Sequence, residues 1–164
     1  MTIVTAFLLI TLAMLTWHQC HIYKDQETLW RDTIAKNPNA WIAHNNIGRI
    51  LAEQNKLDEA ISHVRQALKL KPGDPDIHFN YGLILFHQGK YEDAIEQFMA
   101  ASRTKPDWPK TYYYLGLAYY QMGKYELAIL NYREALRINP DYAEARKNLD
   151  IALSKQGKTS EAIE

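Results

Sequence analysis

A period of 34 residues constrains this 164-residue chain more than any other feature. Pro38, Pro72, Pro106 and Pro140 fall on one comb, as do Gly48, Gly82 and Gly116, and Ala60, Ala94, Ala128 and Ala162. Four of the six prolines in strict register argue against a fold with one irregular core. Repeats of this length are single supersecondary units that bury their apolar faces only against one another, so a stacked array is expected.

Each comb has a physical reason. Ile47, Tyr81, Leu115 and Leu149 recur beside the glycines, and Leu51, Leu85, Tyr119 and Leu153 one helical turn later, which marks a first helix in every unit. A glycine inside that helix costs about 1 kcal/mol relative to alanine. Close approach of a second helix is the compensating gain, with Ala60, Ala94 and Ala128 as its small partners and Val64, Phe98 and Tyr132 beside them. Between the helices stand Asn55, Gly89, Gly123 and Gly157, residue types that tolerate the positive φ of a helix terminus. Prolines stop the second helix, and Pro75 and Pro109 open the next first helix, where proline is tolerated.

This spacing and residue pattern resembles the tetratricopeptide repeat, a helix-turn-helix unit. The resemblance implies an all-α fold, an α-solenoid that winds as a right-handed superhelix. Three units are complete, 41–74, 75–108 and 109–142, within an array running over 39–164. Residues 24–38 read as an N-terminal half-repeat, a second helix with Trp30 and Ile34 facing inward, that caps the stack. Residues 143–164 read as a truncated fourth unit: a first helix to Gln156, a turn, and a partner helix starting near Thr159. Its apolar face is expected to be exposed or covered by further sequence.

Ahead of the array, none of the 38 formally charged side chains lies before Lys24. Residues 1–23 read as a transmembrane anchor: at 1.5 Å per residue, the oily run to Trp17 reaches about 26 Å and the uncharged run to Tyr23 about 35 Å, against a hydrocarbon core of about 30 Å. Trp17, His18, His21 and Tyr23 then fall at headgroup level. A cleaved secretory signal competes, but no basic residue precedes the run and no small-x-small site follows it. The run starts at the first residue, so the chain is also expected to be a fragment of something longer. The junction WHQCHIYKDQETLWRDTIAKNPNAWIAHNNIG resembles the point where polytopic membrane proteins of the protein O-mannosyltransferase-like class enter a tetratricopeptide tail. That resemblance implies a single span here with the array outside the cytoplasm, in periplasm or lumen. The local charges, Lys24 and Arg31 against Asp25, Glu27 and Asp32, lean the other way, so a cytoplasmic array stays open.

Several function classes find no support. Nineteen basic and nineteen acidic residues cancel, and a neutral chain lacks the basic face that releases counterions from nucleic acid. Cys20, the single cysteine, excludes an internal disulfide. No P-loop, H-E-x-x-H or G-x-S-x-G motif is present, and no nucleophile, base and orienter can be assembled, so no catalytic residue, cofactor or metal is expected. His18, Cys20 and His21 have ligand types but read as membrane-edge chemistry, and Cys20 as a weak palmitoylation signal. His44 and His78, 34 apart, read as packed rings.

Binding finds more. In a solenoid of this type the first helices line the concave face. Asn46, Asn80 and Asn148 share one position there, with Tyr114 in the series, and an asparagine amide can donate to and accept from a peptide backbone at once. This resembles the asparagine ladder of peptide-binding relatives. Phe79, Leu83 and Phe86, then Tyr113, Leu117 and Tyr120, add apolar and aromatic surface, and Arg49, Lys110 and Lys147 add positive charge. Of a carboxylate clamp only Asn80 and Lys110 match, while Asn45, Arg49 and Tyr114 occupy the other places. The expected function is a membrane-anchored interaction scaffold that binds an extended peptide or protein segment in its groove. The alternative is an accessory tail of a polytopic glycosyltransferase. Self-association through the open fourth unit is the further expected contact.

Overall fold

Three residues in the left-handed region cut the chain into helix pairs. In the computed structural model, which describes residues 26–161 and the side-chain surroundings of residues 26–157, Asn55, Gly89 and Gly123 have φ of 62°, 75° and 72°. Behind each, two backbone bonds close the helix end: Lys56, Lys90 and Lys124 N–H donate to the carbonyls of Leu51, Leu85 and Tyr119 at 2.8, 3.0 and 3.0 Å. Asn55, Gly89 and Gly123 N–H donate to Ala52, Phe86 and Tyr120. That is the Schellman arrangement, which satisfies carbonyls a helix end would otherwise orphan.

Eight helices result among the described residues: α1 (Gln26–Lys36), α2 (Trp41–Glu53), α3 (Leu57–Leu70), α4 (Pro75–His87), α5 (Tyr91–Thr104), α6 (Pro109–Gln121), α7 (Tyr125–Ile138) and α8 (Ala143–Glu161). Pro75 and Pro109 sit in the first turns of α4 and α6, and Asp74 caps α4 by accepting from Asp76 and Ile77 N–H at 3.1 and 3.3 Å. Helices pack mainly on their neighbours in sequence, the arrangement of a solenoid.

The glycine comb marks the closest approach within a pair. A Cβ on Gly82 would stand 2.5 Å from the Phe98 ring, one on Gly116 2.5 Å from the Tyr132 ring, and one on Gly48 would overlap Val64. Val64, Phe98 and Tyr132 are 0% exposed, as are Ala60, Ala94 and Ala128 one turn earlier on the same helices. Apolar burial then crosses the unit boundaries. Ile77 and Ile84 of α4 join the α2–α3 cluster, Leu115 and Ala118 of α6 join the α4–α5 cluster, and Ala152 of α8 joins α7. At the front, Trp30 and Ile34 of α1 pack against the first cluster, though no residue of α1 is fully buried.

Two further combs staple the stack. Gln54 donates to Glu27 at 2.7 Å, Gln88 to Asp58 at 3.2 Å and Gln156 to Glu126 at 3.2 Å, the first two from the C-caps of α2 and α4 and the third from within α8, each reaching the preceding second helix. His44, His78 and Arg146 reach back six residues to the carbonyls of Pro38, Pro72 and Pro140. The two histidines are thus more than packed rings: they hold the loops that enter their helices.

The far end departs from expectation. Gly157 makes no turn; it lies inside α8, which runs unbroken from Ala143 to Glu161. The hydrogen-bond ladder continues because a mid-helix glycine costs only about 1 kcal/mol, and a Cβ placed here would meet nothing within 4 Å among the described residues outside its own helix. Leu153, expected in the core, is 39% exposed and Ile151 likewise 39%, so both flanks of the buried Ala152 are open on α8.

The expected localisation, a single-span membrane protein, is corrected. No helix among the described residues is long and apolar enough to cross a membrane. The longest, α8, has 19 residues but carries Glu144, Arg146, Lys147, Asp150 and Lys155 along its length. The anchor read into residues 1–23 lies outside the described residues, as does the His18, Cys20 and His21 group.

Candidate functional site

The first helices α2, α4, α6 and α8 stand side by side, and a stagger of one residue beyond the period sets what touches what. Asn80 Nδ2 donates to Asn45 Oδ1 at 3.0 Å, Phe79 meets Tyr114 edge-on at 5.5 Å between centroids, and Asn148 Nδ2 donates to the Tyr113 hydroxyl at 3.1 Å. All three pairs are 35 residues apart. The asparagines are therefore not a row of free amides. Asn80 and Asn148 each bond the neighbouring unit, and Asn46 Nδ2 bonds the Ile42 carbonyl of its own helix at 2.9 Å.

One cleft of about 230 Å³ opens across α2, α4 and α6. Arg49, Ala52 and Glu53 form its α2 side, Phe79, Asn80, Leu83, Ile84 and His87 its α4 side, and Lys110 closes it from α6. Arg49, Phe79, Asn80, Leu83 and Lys110 were all expected on this face. Phe79 contributes as floor rather than contact: it is 3% exposed, with Trp108 at 4.5 Å and Phe98 at 5.6 Å. Leu83 and Ile84 extend that floor, and the Lys110 ammonium lies 5.6 Å from the Phe79 ring centroid.

The other expected residues lie outside this cleft. Tyr113 and Leu117 pack against the α7–α8 cluster, and Tyr113 stacks with Tyr142 at 5.1 Å. Tyr114 sits between the two regions, touching Phe79, Phe86, Phe98 and Tyr113. Asn46 is absent from the cleft lining. Burial raises the pKa of Tyr113 and Tyr114 above the usual phenol range and pushes Tyr142 up to about 12. These phenols are neutral donors at physiological pH. A wider hollow of about 730 Å³, edged by Arg146, Lys147, Asp150 and Ile151, lies on the open side of α8 and is a shallow surface rather than a cleft.

Glu53 and His87 were missed by sequence reasoning, which followed apolar and amide residues. The comb itself would have found them, since they are 34 apart at the ends of α2 and α4. His63 was missed as well. Its Nδ1 lies 3.1 Å from His44 Nδ1. The Pro38 carbonyl accepts from His44 Nε2, which leaves His44 Nδ1 as acceptor and makes His63 the donor in the neutral pair. No cluster of three or more metal-ligating side chains exists among the described residues.

Helix pairs nested in a 34-residue register, with side chains gathered on the first helices, define a helical-repeat solenoid. Family comparison agrees: residues 48–89 and 82–123 match the TPR repeat, and 109–142 match the tetratricopeptide repeat. The matches span more than half of the chain, which belongs to the tetratricopeptide repeat family. No curated protein matches the sequence. Among solved structures, MamA superposes with a TM-score of 0.75 at 20% identity, over 89% of this chain and 80% of its own. YrrB, described as a TPR protein with an unusual peptide-binding site, gives 0.70 at 23% identity over 81% and 69%. The first TPR of Spaghetti (RPAP3), bound to the HSP90 peptide SRMEEVD, gives 0.69 at 23% over 71% and 93%. These similarities establish the shared fold.

Proposed function

We propose that the chain is an interaction scaffold that holds an extended protein segment across α2, α4 and α6, with no chemistry of its own. The observation that carries this reading is the single cleft in which Arg49, Phe79, Asn80, Leu83 and Lys110, contributed by three units, converge. Such a surface pairs an apolar floor with a few placed polar groups, the usual make-up of a recognition site. Two of the structural neighbours are described with bound peptide or a peptide-binding site, which supports the same use of the fold here. The array is read as units 41–74, 75–108 and 109–142 with 24–38 before and 143–164 after, and Tyr113, Tyr114, Leu117 and Asn148 as a second row for a longer segment. Asn46, held on its own helix, is a rim contact at most. No described feature favours the glycosyltransferase-tail alternative.

A segment resting on a few anchors of this kind binds with micromolar affinity, about 8 kcal/mol. A peptide array probed with the intact chain tests the reading. Asn80→Ala removes about 1 kcal/mol of hydrogen bonding to the segment, roughly fivefold in Kd, and Leu83→Asp abolishes seating on the floor. Array ligands that are indifferent to both substitutions, or an array without ligands, would contradict it.

A further inference from the structure

The polar atoms of the cleft say which kind of segment it selects. Asn80 Nδ2 donates one N–H to Asn45 Oδ1, and Asn45 is 8% exposed, so the second amide that would straddle a chain-terminal carboxylate is buried beneath the first rather than presented to the cleft. Arg49 is likewise committed: Nη1 is paired with Glu53, and Nη2 reaches Gln26 Oε1 at 3.3 Å. Its charge is balanced by a carboxylate on the same helix.

Lys110 differs. It is exposed, it forms no ion pair among the described residues, and its ammonium stands over the apolar floor formed by Phe79 with Leu83 and Ile84 beside it. Asn80 Oδ1 accepts no hydrogen bond from described residues and is left for a backbone N–H. An uncompensated cation, a free amide oxygen and an aliphatic floor within one cleft complement an acidic side chain, a peptide N–H and an aliphatic side chain.

Resting on the peptide-scaffold reading, we infer that the cleft selects an internal acidic-aliphatic pair within an extended segment and needs no terminal carboxylate. The aliphatic side chain lies on Leu83 and Ala52, the backbone N–H meets Asn80 Oδ1, and the acidic side chain meets Lys110.

The test uses the full chain and acetylated heptapeptides in two forms, amidated and free-acid, with one Leu and one Glu placed at separations of one to three residues in a Ser/Ala background. Control peptides carry Gln or Lys in place of Glu. Because an exposed ion pair is weak, the best Glu peptide is expected to bind about three- to fivefold tighter than its Gln counterpart, equally as amide or free acid, and less selectively at high salt. Lys110→Glu, at an exposed site whose contact with the core is its ammonium over the Phe79 ring, is expected to reverse the order and favour the Lys peptide. Binding that requires the free carboxylate, or equal affinity for the Glu, Gln and Lys peptides, overturns this inference and leaves the groove intact. Failure of every peptide to bind overturns the groove reading beneath it.

Discussion

At the scale of single residues, one buried atom shows how closely the interior is set. Tyr132 is 0% exposed and its hydroxyl has no hydrogen-bond partner among the described residues, whereas Phe98 fills the same register one unit earlier without a hydroxyl. A buried, unsatisfied hydroxyl costs about 1–3 kcal/mol, so Tyr132→Phe is expected to leave stability unchanged or raise it by about 1 kcal/mol. A loss of more than 1 kcal/mol in urea unfolding would mean that the hydroxyl is bonded after all. His63 gives the pH counterpart. Burial first, and facing His44 second, hold its pKa below the ordinary 6.5, with Arg31 adding to the effect and Glu59 opposing it. The unfolded chain therefore takes up this proton at a higher pH than the folded chain, and stability is whole above about pH 6.5 and declines as pH falls below it. The thermal midpoint is expected to drop between pH 7.5 and 5.5, and His63→Gln, which can still donate to His44, is expected to flatten that slope. An unchanged slope in the variant would contradict the pairing.

Helix by helix, legibility in the sequence followed the physics of each boundary. The turns at Asn55, Gly89 and Gly123 were readable because two helices must reverse there and only residues tolerant of positive φ allow it. Gly157 carries the same letter, but a Cβ there would meet nothing within 4 Å among the described residues outside its own helix, and its helix runs through. This distinction is testable. In a helix interior, Gly157→Ala is expected to stabilise by about 1 kcal/mol. At a left-handed turn the same substitution destabilises, and a lowered thermal midpoint would restore the turn. Within the cleft, Asn80, Leu83 and Lys110 were legible because the period assigns each a face. The Asn45–Asn80 bond was not, because it depends on the one-residue stagger between adjacent first helices, which no single unit encodes. The depth of Phe79 was not legible either: it lines the cleft but is 3% exposed, because Trp108, from the loop before α6, packs against it.

At the scale of the whole molecule, the proposed recognition depends on three units keeping their spacing, since Arg49, Leu83 and Lys110 belong to successive first helices. The glutamine bonds from Gln54, Gln88 and Gln156 and the shared apolar clusters fix that spacing from one unit to the next. Any change that loosens the stack should weaken binding without touching the cleft. The most direct measurement is amide chemical-shift mapping of the intact chain titrated with the tightest peptide from the array. Shifts concentrated on Arg49, Asn80, Leu83, His87 and Lys110 are predicted. Shifts concentrated instead on the exposed Met99 and Leu130 of α5 and α7, with the cleft silent, would contradict the account.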